Sequence, residues 1–326
     1  MAYSFSTDRN SHVSQEGQVK LGFCYPEYGR LRTVLMHMPG KELELVGPTT
    51  HDRFLFADAI DPVQFRADHA RFVDSLRSEG VNVVLPTQLL REHPLLDSIH
   101  RSPNLVYIRD TAAVTRAGYI LARMKNPVRR NETGIVEAAL RKLAVPLLMK
   151  TVAPATIEGG DLIFLDDDTL LLGVGNRTNQ AGLRELLARG TQSGLHRLLA
   201  VPLPSSVIHL DGTMMVVDRD LAVVHRQSLR RSSSLYENGR LKKRLKLVQF
   251  LSANGMRVVE VTDYERQRRA TNVIAIAPRK AIGYAGNARV KRAFQKNGVD
   301  FIEIEGAELI RGYGGPRCMT LPILRD

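Results

Sequence analysis

The chain has 326 residues, enough for one large domain or two ordinary ones. Its 44% hydrophobic and 25% charged residues are ordinary for a globular protein, and no stretch approaches the about 18 uncharged apolar residues of a membrane span. Two cysteines exclude a disulfide framework, and the formal charge of +12 leaves nucleic acid or an anionic surface to be considered.

Residues 1–20 are polar, lack the apolar core of a secretory signal, and read as a loose tail. Residues 21–326 show no composition shift or Pro/Ser-rich linker and read as a single domain. Few cysteines and no export signal point to a cytoplasmic, thiol-reducing compartment. Short Val/Ile/Leu-rich runs predict strands at 33–38, 81–85, 105–108, 119–122, 162–165, 170–174, 214–217, 221–225, 258–261, 273–276 and 301–304. Helical periodicity lies between them, at 65–77, 133–143, 178–187 and 241–251. In the first, Phe65, His69, Phe72 and Leu76 form one stripe. Gly80, Gly190 and Gly298 follow helical patterns as C-terminal caps do. The alternation is α/β with hairpins. The basic residues cluster at 226–246 around one aromatic, Tyr236, which offers no stacking platform for nucleic acid. That run reads as a solvated loop-and-helix face.

Four polar motifs interrupt this pattern. Arg109-Asp110 ends a predicted strand. Glu158-Gly159-Gly160-Asp161 precedes another, its glycines freeing the backbone for positive φ. His209-Leu210-Asp211 lies in an extended stretch, where residues two apart share a face. Cys318 follows the glycine-rich run Arg311-Gly312-Tyr313-Gly314-Gly315-Pro316-Arg317. Singly, these are also what an ion pair, an acidic turn, a surface strand and an inert core thiol look like. Cys24 has no such company and reads as structural. The spacing is regular: 48 residues from Asp110 to Glu158, 51 on to His209, and 109 on to Cys318, close to two further steps. A supersecondary unit of about 50 residues, repeated, would bring one element per repeat to a shared centre.

Together the motifs suit one reaction. A guanidinium is planar and cationic, and carboxylates are its bidentate partners. Asp110 and Asp211 could grip its nitrogens, with Glu158 orienting a nitrogen or the histidine. The guanidinium carbon stays open to a sulfur nucleophile, and His209 could protonate the leaving nitrogen and then activate water. Arg317 and the bound cation would both favour the Cys318 thiolate. No metal or organic cofactor is required, and histidines and cysteines show no zinc spacing.

The chain resembles the arginine deiminase family of the guanidine-modifying, or pentein, superfamily. The resemblance is carried in order by Gly29-Arg30-Leu31-Arg32-Thr33-Val34-Leu35, Phe54 to Asp58, Asn104 to Asp110, Arg129-Arg130-Asn131-Glu132-Thr133, Glu158 to Asp161, Gly173 to Thr178, His209-Leu210-Asp211 and Arg311 to Met319. It implies a five-bladed pseudosymmetric α/β propeller of repeated ββαβ units. It implies Cys318 as nucleophile, His209 as acid and base, and Asp110, Glu158 and Asp211 around the guanidinium. Asn104, Arg129, Arg177 and Asp161 would bind the rest of the substrate, the two arginines at its carboxylate. The implied activity is hydrolysis of L-arginine to citrulline and ammonia, with no nucleic acid or membrane partner and possible homo-oligomers. A dihydrolase yielding ornithine, ammonia and CO2, a methylarginine hydrolase or an amidinotransferase would use the same chemistry. A non-catalytic basic binding protein on this fold would be expected to have lost part of the Cys/His/acid set, which is complete. The chain departs from the family in lacking the helical insertion before Asn104, and in carrying Tyr313 where the family often has arginine.

Overall fold

A computed structural model describes residues 26–190 and 196–326. The expected tail and Cys24 lie outside the described residues. Five sheets share one local plan. Strands β3 (Ala112–Thr115) and β4 (Gly118–Leu121) form a hairpin, the helix Arg130–Lys142 crosses over, and β5 (Leu147–Lys150) returns parallel to β4. The same ββαβ order recurs in β6 (Leu162–Phe164), β7 (Thr169–Val174), helix Gln180–Gly190 and β8 (Arg197–Pro202). It recurs in β9 (Met214–Asp218), β10 (Leu221–Val224), helix Leu247–Ala253 and β13 (Arg257–Glu260), and in β14 (Ile274–Ala277), β15 (Lys280–Tyr284), helix Ala288–Lys296 and β16 (Asp300–Ile304). The fifth unit joins the two ends of the described chain. Here β17 (Leu321–Arg325) pairs antiparallel with β1 (Leu31–Leu35), which pairs parallel with β2 (Asn82–Val84) after the helix Pro62–Ser78. Crossover helices of this kind cover parallel pairs because a right-twisted strand and helix pack back onto the sheet.

The helix Pro62–Ser78 buries the expected stripe, Phe65, His69, Phe72 and Leu76. It starts where the Asp61 side chain accepts from the backbone N–H groups of Val63 and Gln64, with proline at its first position. Gly80 and Gly298 take φ of 78° and 73°, as caps. No helix among the described residues is long and apolar enough to cross a membrane.

Three expectations need correction. Residues 105–108 are not a strand; they lie in two consecutive 3-10 turns, Pro103–Val106 and Ile108–Thr111. Pro103 and the buried Asn104 side chain, which donates to the Phe54 carbonyl at 2.7 Å, favour the turn. Residues 241–251 are not one helix. The basic stretch Arg240–Lys246 forms strand β12, a hairpin with β11 (Ser232–Glu237) across Asn238-Gly239, and the helix begins only at Leu247. The Asn-Gly turn, with φ of 48° and 76°, overrides the helical spacing of the leucines. Finally, Asp211 is in a 3-10 turn, Leu210–Gly212, so His209 and Asp211 are not same-face strand neighbours.

Each unit's first strand is entered through a tight turn that carries a polar residue: Asp110, Glu158, His209 with Asp211, Asn272 and Cys318. In three turns a threonine hydroxyl donates to the carbonyl three residues back: Thr111 to Ile108 at 2.7 Å, Thr213 to Leu210 at 2.8 Å and Thr320 to Arg317 at 2.8 Å. These turns converge, and the convergence is close. A Cβ on Gly159 would sit 2.0 Å from the Arg109 carbonyl oxygen, and one on Gly160 would sit 2.7 Å from His209 Cγ and 2.8 Å from Asp110 Oδ1. Neither glycine has positive φ, so they serve close approach rather than a left-handed turn.

Candidate active site

The converging turns line a cavity of about 390 Å³ whose wall includes Asn104, Asp110, His209, Asp211, Asn272 and Cys318. Cys318 is held from two sides. Its backbone N–H donates to Asn272 Oδ1 at 3.2 Å, and Asn272 Nδ2 donates to its sulfur at 3.1 Å. The thiol faces Asp211 Oδ2 at 3.5 Å. Its loop packs on Tyr107: a Cβ on Gly312 would fall 2.0 Å from the Tyr107 hydroxyl oxygen and one on Gly314 2.1 Å from the ring, and that hydroxyl donates to the Leu309 carbonyl at 2.7 Å. Burial, then the Asp211 and Asp110 carboxylates, push the thiol's pKa well above its ordinary value. Arg317 pulls the other way, but its fully buried guanidinium is already committed to Asp211 Oδ2 at 3.0 Å, Glu27 Oε1 at 2.6 Å and the Leu162 carbonyl at 2.7 Å. Arg317 therefore orients Asp211 more than it ionises Cys318.

His209 sits between two carboxylates. Its Nε2 is 2.8 Å from Glu158 Oε2, and its Nδ1 is 3.5 Å from Asp110 Oδ1. Burial disfavours a charged ring, but Asp110, Glu158 and Asp161 outweigh it and raise the imidazole to about 9. Glu158 is fully buried. Burial would raise its carboxyl, yet His209, Arg177 and Arg129 hold it well below the usual range. Asp110 Oδ1 makes no hydrogen bond among the described residues, an uncommon state for a buried carboxylate oxygen. Asp110, Glu158 and His209 also present potential ligand atoms within 4.8 Å of one another. Metal binding would need a deprotonated ring, which the two acids oppose.

The remaining expected residues divide. Asn104 and Arg177 line the cavity, Arg177 donating to Glu158 Oε2 at 3.1 Å. Arg129 also reaches the wall, but its guanidinium is buried and nearly saturated. It donates to Asp110 Oδ2 at 2.5 Å, to both Glu132 oxygens at 3.0 and 3.2 Å through Nε, and to the Asn104 and Tyr107 carbonyls. Its partner Glu132 is raised to about 7, chiefly by burial, with Asp110 and Glu158 nearby. Asp161 does not face the cavity. It is fully buried behind the wall, where Oδ1 accepts from the Leu210 N–H at 2.9 Å and so fixes the His209 turn. Burial raises its carboxyl to about 7.

Sequence reasoning missed Asn272 and Tyr107. The signal for Asn272 was in the spacing. Between His209 and Cys318 two steps were read but only the ends were filled; Asn272 lies 63 residues after the first and 46 before the second.

The arginine deiminase family model matches residues 96–325, more than half of the chain. This chain belongs to the arginine deiminase family. Arginine deiminase of Streptococcus uberis is 26% identical over 399 aligned residues, covering 93% of this chain and 97% of its own length. The Streptococcus pyogenes enzyme is likewise 26% identical over 400. These alignments are longer than the chain itself, so they contain gaps in it.

Among solved structures, a dimethylarginine dimethylaminohydrolase variant in adduct with S-methyl-L-thiocitrulline superposes with a TM-score of 0.69 at 20% identity, covering 89% of this chain and 99% of its own. The N-terminal domain of ArgZ, an arginine dihydrolase of cyanobacteria, gives 0.69 at 13%, covering 90% and 97%. The fold is that of the pentein guanidine-modifying enzymes. Like its arginine deiminase relatives, the chain is a hydrolase of amidine C–N bonds.

Proposed function

We propose that this arginine deiminase family member hydrolyses L-arginine to citrulline and ammonia through a covalent intermediate on Cys318. The observation that carries this reading is the thiol set beside Asp211 and across from the unsatisfied oxygen of Asp110. A buried cavity with a nucleophile and two carboxylates stabilises a bound cation, and a bidentate guanidinium satisfies both acids. Its positive charge offsets the Asp211 and Asp110 fields that hold the thiol protonated, so substrate binding promotes the thiolate.

The sulfur forms a bond to the guanidinium carbon, and the C=N electrons move onto nitrogen. Protonated His209 delivers its proton to one terminal nitrogen. That C–N bond breaks, ammonia leaves, and a thiouronium links Cys318 to the substrate side chain. Neutral His209 takes a proton from water and the hydroxide adds to the same carbon; the C–S bond breaks as the carbonyl forms, and the hydroxyl proton passes to solvent, where the released ammonia takes it up. Citrulline leaves and the thiolate returns. Glu158 holds the imidazole in place through both transfers, and Asp161 fixes the turn that carries it. Asn104 and Arg177 would bind the amino-acid end, with Arg129 supporting Asp110 from behind. The five ββαβ units support a five-bladed arrangement around this cavity, and one domain spanning the chain beyond the tail.

A second reading, a dihydrolase or methylarginine hydrolase, is favoured by size: the deiminase alignment runs over 399 residues against a chain of 326, whereas solved relatives with those activities in their names match over 97% and 99% of their lengths. Acid quenching during turnover, with the mass of the released product, separates the readings. Deimination and dihydrolysis both leave arginine minus ammonia on the Cys318 peptide, and release citrulline and ornithine respectively. Amidino transfer leaves only the amidino group. A methylarginine hydrolase is labelled by methylated arginine alone. An unlabelled peptide under turnover would overturn the covalent route.

A further inference from the structure

Behind Asp211 runs a line of buried charges that ends near the start of the described chain. Arg317 Nη1 donates to Asp211 Oδ2 at 3.0 Å, while its Nη2 donates to Glu27 Oε1 at 2.6 Å and to the Leu162 carbonyl at 2.7 Å. All three charged side chains are buried, and Glu27 does not line the cavity. The closure of the fifth unit puts Glu27 there, 290 positions from its partner. It sits in a turn where the Gly29 N–H donates to the Pro26 carbonyl at 3.1 Å. That turn is tied to the chain's last residues. Arg325 Nη1 donates to the Gly29 carbonyl at 2.5 Å, and Arg30 and Asp326 exchange backbone hydrogen bonds at 3.1 and 3.0 Å. Burial would raise the Glu27 carboxyl, but Arg317 and then Arg109 hold it at about 2, so it is ionised at neutral pH. The opposite wall has the same order of groups: Arg129 joins Asp110 to Glu132 as Arg317 joins Asp211 to Glu27. There the glutamate is raised to about 7, so Glu27 is the one of the two that stays charged through neutral pH.

We propose that Glu27 is a positioning residue of the guanidinium site: by sharing Arg317 it leaves Asp211 a carboxylate charge available to the substrate's cation. An aspartate paired with one buried arginine is a neutral unit and attracts a guanidinium weakly. Two carboxylates around one arginine keep a surplus negative charge, which a cation entering a buried site needs. Arg317 still fixes the direction of Asp211, and Glu27 offsets the positive field that would otherwise cancel it.

This inference rests on the proposed guanidine chemistry, and the experiment separates the two. Binding of arginine and of agmatine is measured by calorimetry in Cys318→Ser protein, alone and combined with Glu27→Gln, Glu27→Asp or the pair Glu27→Gln/Arg317→Met. The pH dependence of iodoacetamide labelling is measured in the same Glu27 and Arg317 variants with Cys318 intact. Glu27→Gln keeps the shape and an acceptor for Arg317 but removes the charge. It is expected to weaken both ligands alike, by at least about tenfold, and to speed labelling at neutral pH because the Arg317 cation is less offset. Glu27→Asp, which keeps the charge, should bind closer to wild type. The paired variant removes the cation as well, so binding should recover by at least about threefold over Glu27→Gln and labelling should slow again. A merely structural role predicts the reverse, because a second buried change adds to the first. Unchanged binding and labelling in Glu27→Gln, or weaker binding in the paired variant than in Glu27→Gln, would overturn the proposal. Should Glu27→Gln fail to fold, the paired variant decides alone: binding within about threefold of wild type supports the proposal, and a larger loss overturns it. Wild type that neither bound nor consumed a guanidino compound would overturn the proposed function, while the labelling arm, which uses no substrate, would still decide whether Glu27 acts through Arg317.

Discussion

Asn272 grips Cys318 by both ends of one amide: Oδ1 accepts from the cysteine N–H at 3.2 Å and Nδ2 donates to the sulfur at 3.1 Å. The contact fixes the thiol's direction and provides a donor to the thiolate once it forms. Asn272→Ala is expected to cost about 1.5–3 kcal/mol of a hydrogen bond to a charged group, roughly 10- to 100-fold in kcat/KM. Asn272→Asp should be worse than Ala, because a carboxylate against the sulfur opposes ionisation. Steady-state kinetics with thermal melts checks this; an Asp variant as active as wild type would show that the clamp is only packing.

Asp211 has two opposed effects, and a variant separates them. Its field is, after burial, the largest influence holding the thiol protonated. Asp211→Asn should therefore lower the pKa of Cys318 in the empty enzyme, giving faster alkylation at neutral pH. The same change should reduce turnover by more than about tenfold, because the bound guanidinium loses a charged partner. The pH dependence of iodoacetamide labelling and kcat/KM test the two halves. Slower labelling together with slower turnover would contradict the account.

The alkaline limit of the mechanism is set by the carboxylates around His209, Asp110 first and then Glu158. With His209 raised to about 9, the doubly protonated ring persists at neutral pH, and the stabilisation it contributes is present below the unfolded value near 6.5 and lost as pH rises through about 9. Glu158→Gln removes the charge at Nε2, so the His209 pKa should fall and the alkaline fall-off in kcat/KM should move to lower pH. Histidine ring NMR gives the same titration directly. An unshifted alkaline limb would mean that another group controls it.

His69 offers a test of the fold away from the site. It is fully buried on the helix Pro62–Ser78 with neither ring nitrogen bonded, and burial, aided by His37, drops it to about 3. The unfolded chain binds a proton that the folded one refuses, so stability should fall as pH drops from about 6.5 toward 3, by roughly 4 kcal/mol over the range. His69→Leu should flatten that acid limb in urea titrations. Equal acid sensitivity in the variant would show that other groups govern it.

How far the sequence reached follows from what kind of signal each feature leaves. Most strands were legible as apolar runs, and Cys318, His209, Glu158, Asp110 and Asp211 as motifs spaced along the chain. Edge strands were not: Arg240–Lys246 carries charges on both faces and looks helical until the Asn238-Gly239 turn is weighed. Asn272 was hidden because a lone amide has no motif; only the empty step in the repeat marked its place. Tyr313 was read as a missing cation, since no sequence pattern predicts that Arg269, 44 positions earlier, lies over its ring. Arg129 and Asp161 were read as substrate contacts; that both are buried and hydrogen-bonded to Asp110 and to the Leu210 N–H leaves no trace in the sequence.

In the proposed mechanism Cys318 attacks the guanidinium of arginine. The direct measurement is product identification by mass after incubating L-arginine with wild type and with Cys318→Ser protein of equal thermal stability. The account predicts citrulline and ammonia in equal amounts from wild type, without added metal, and none from Cys318→Ser. Citrulline formation by Cys318→Ser at near wild-type rate, or no consumption of arginine by folded wild type, would contradict it.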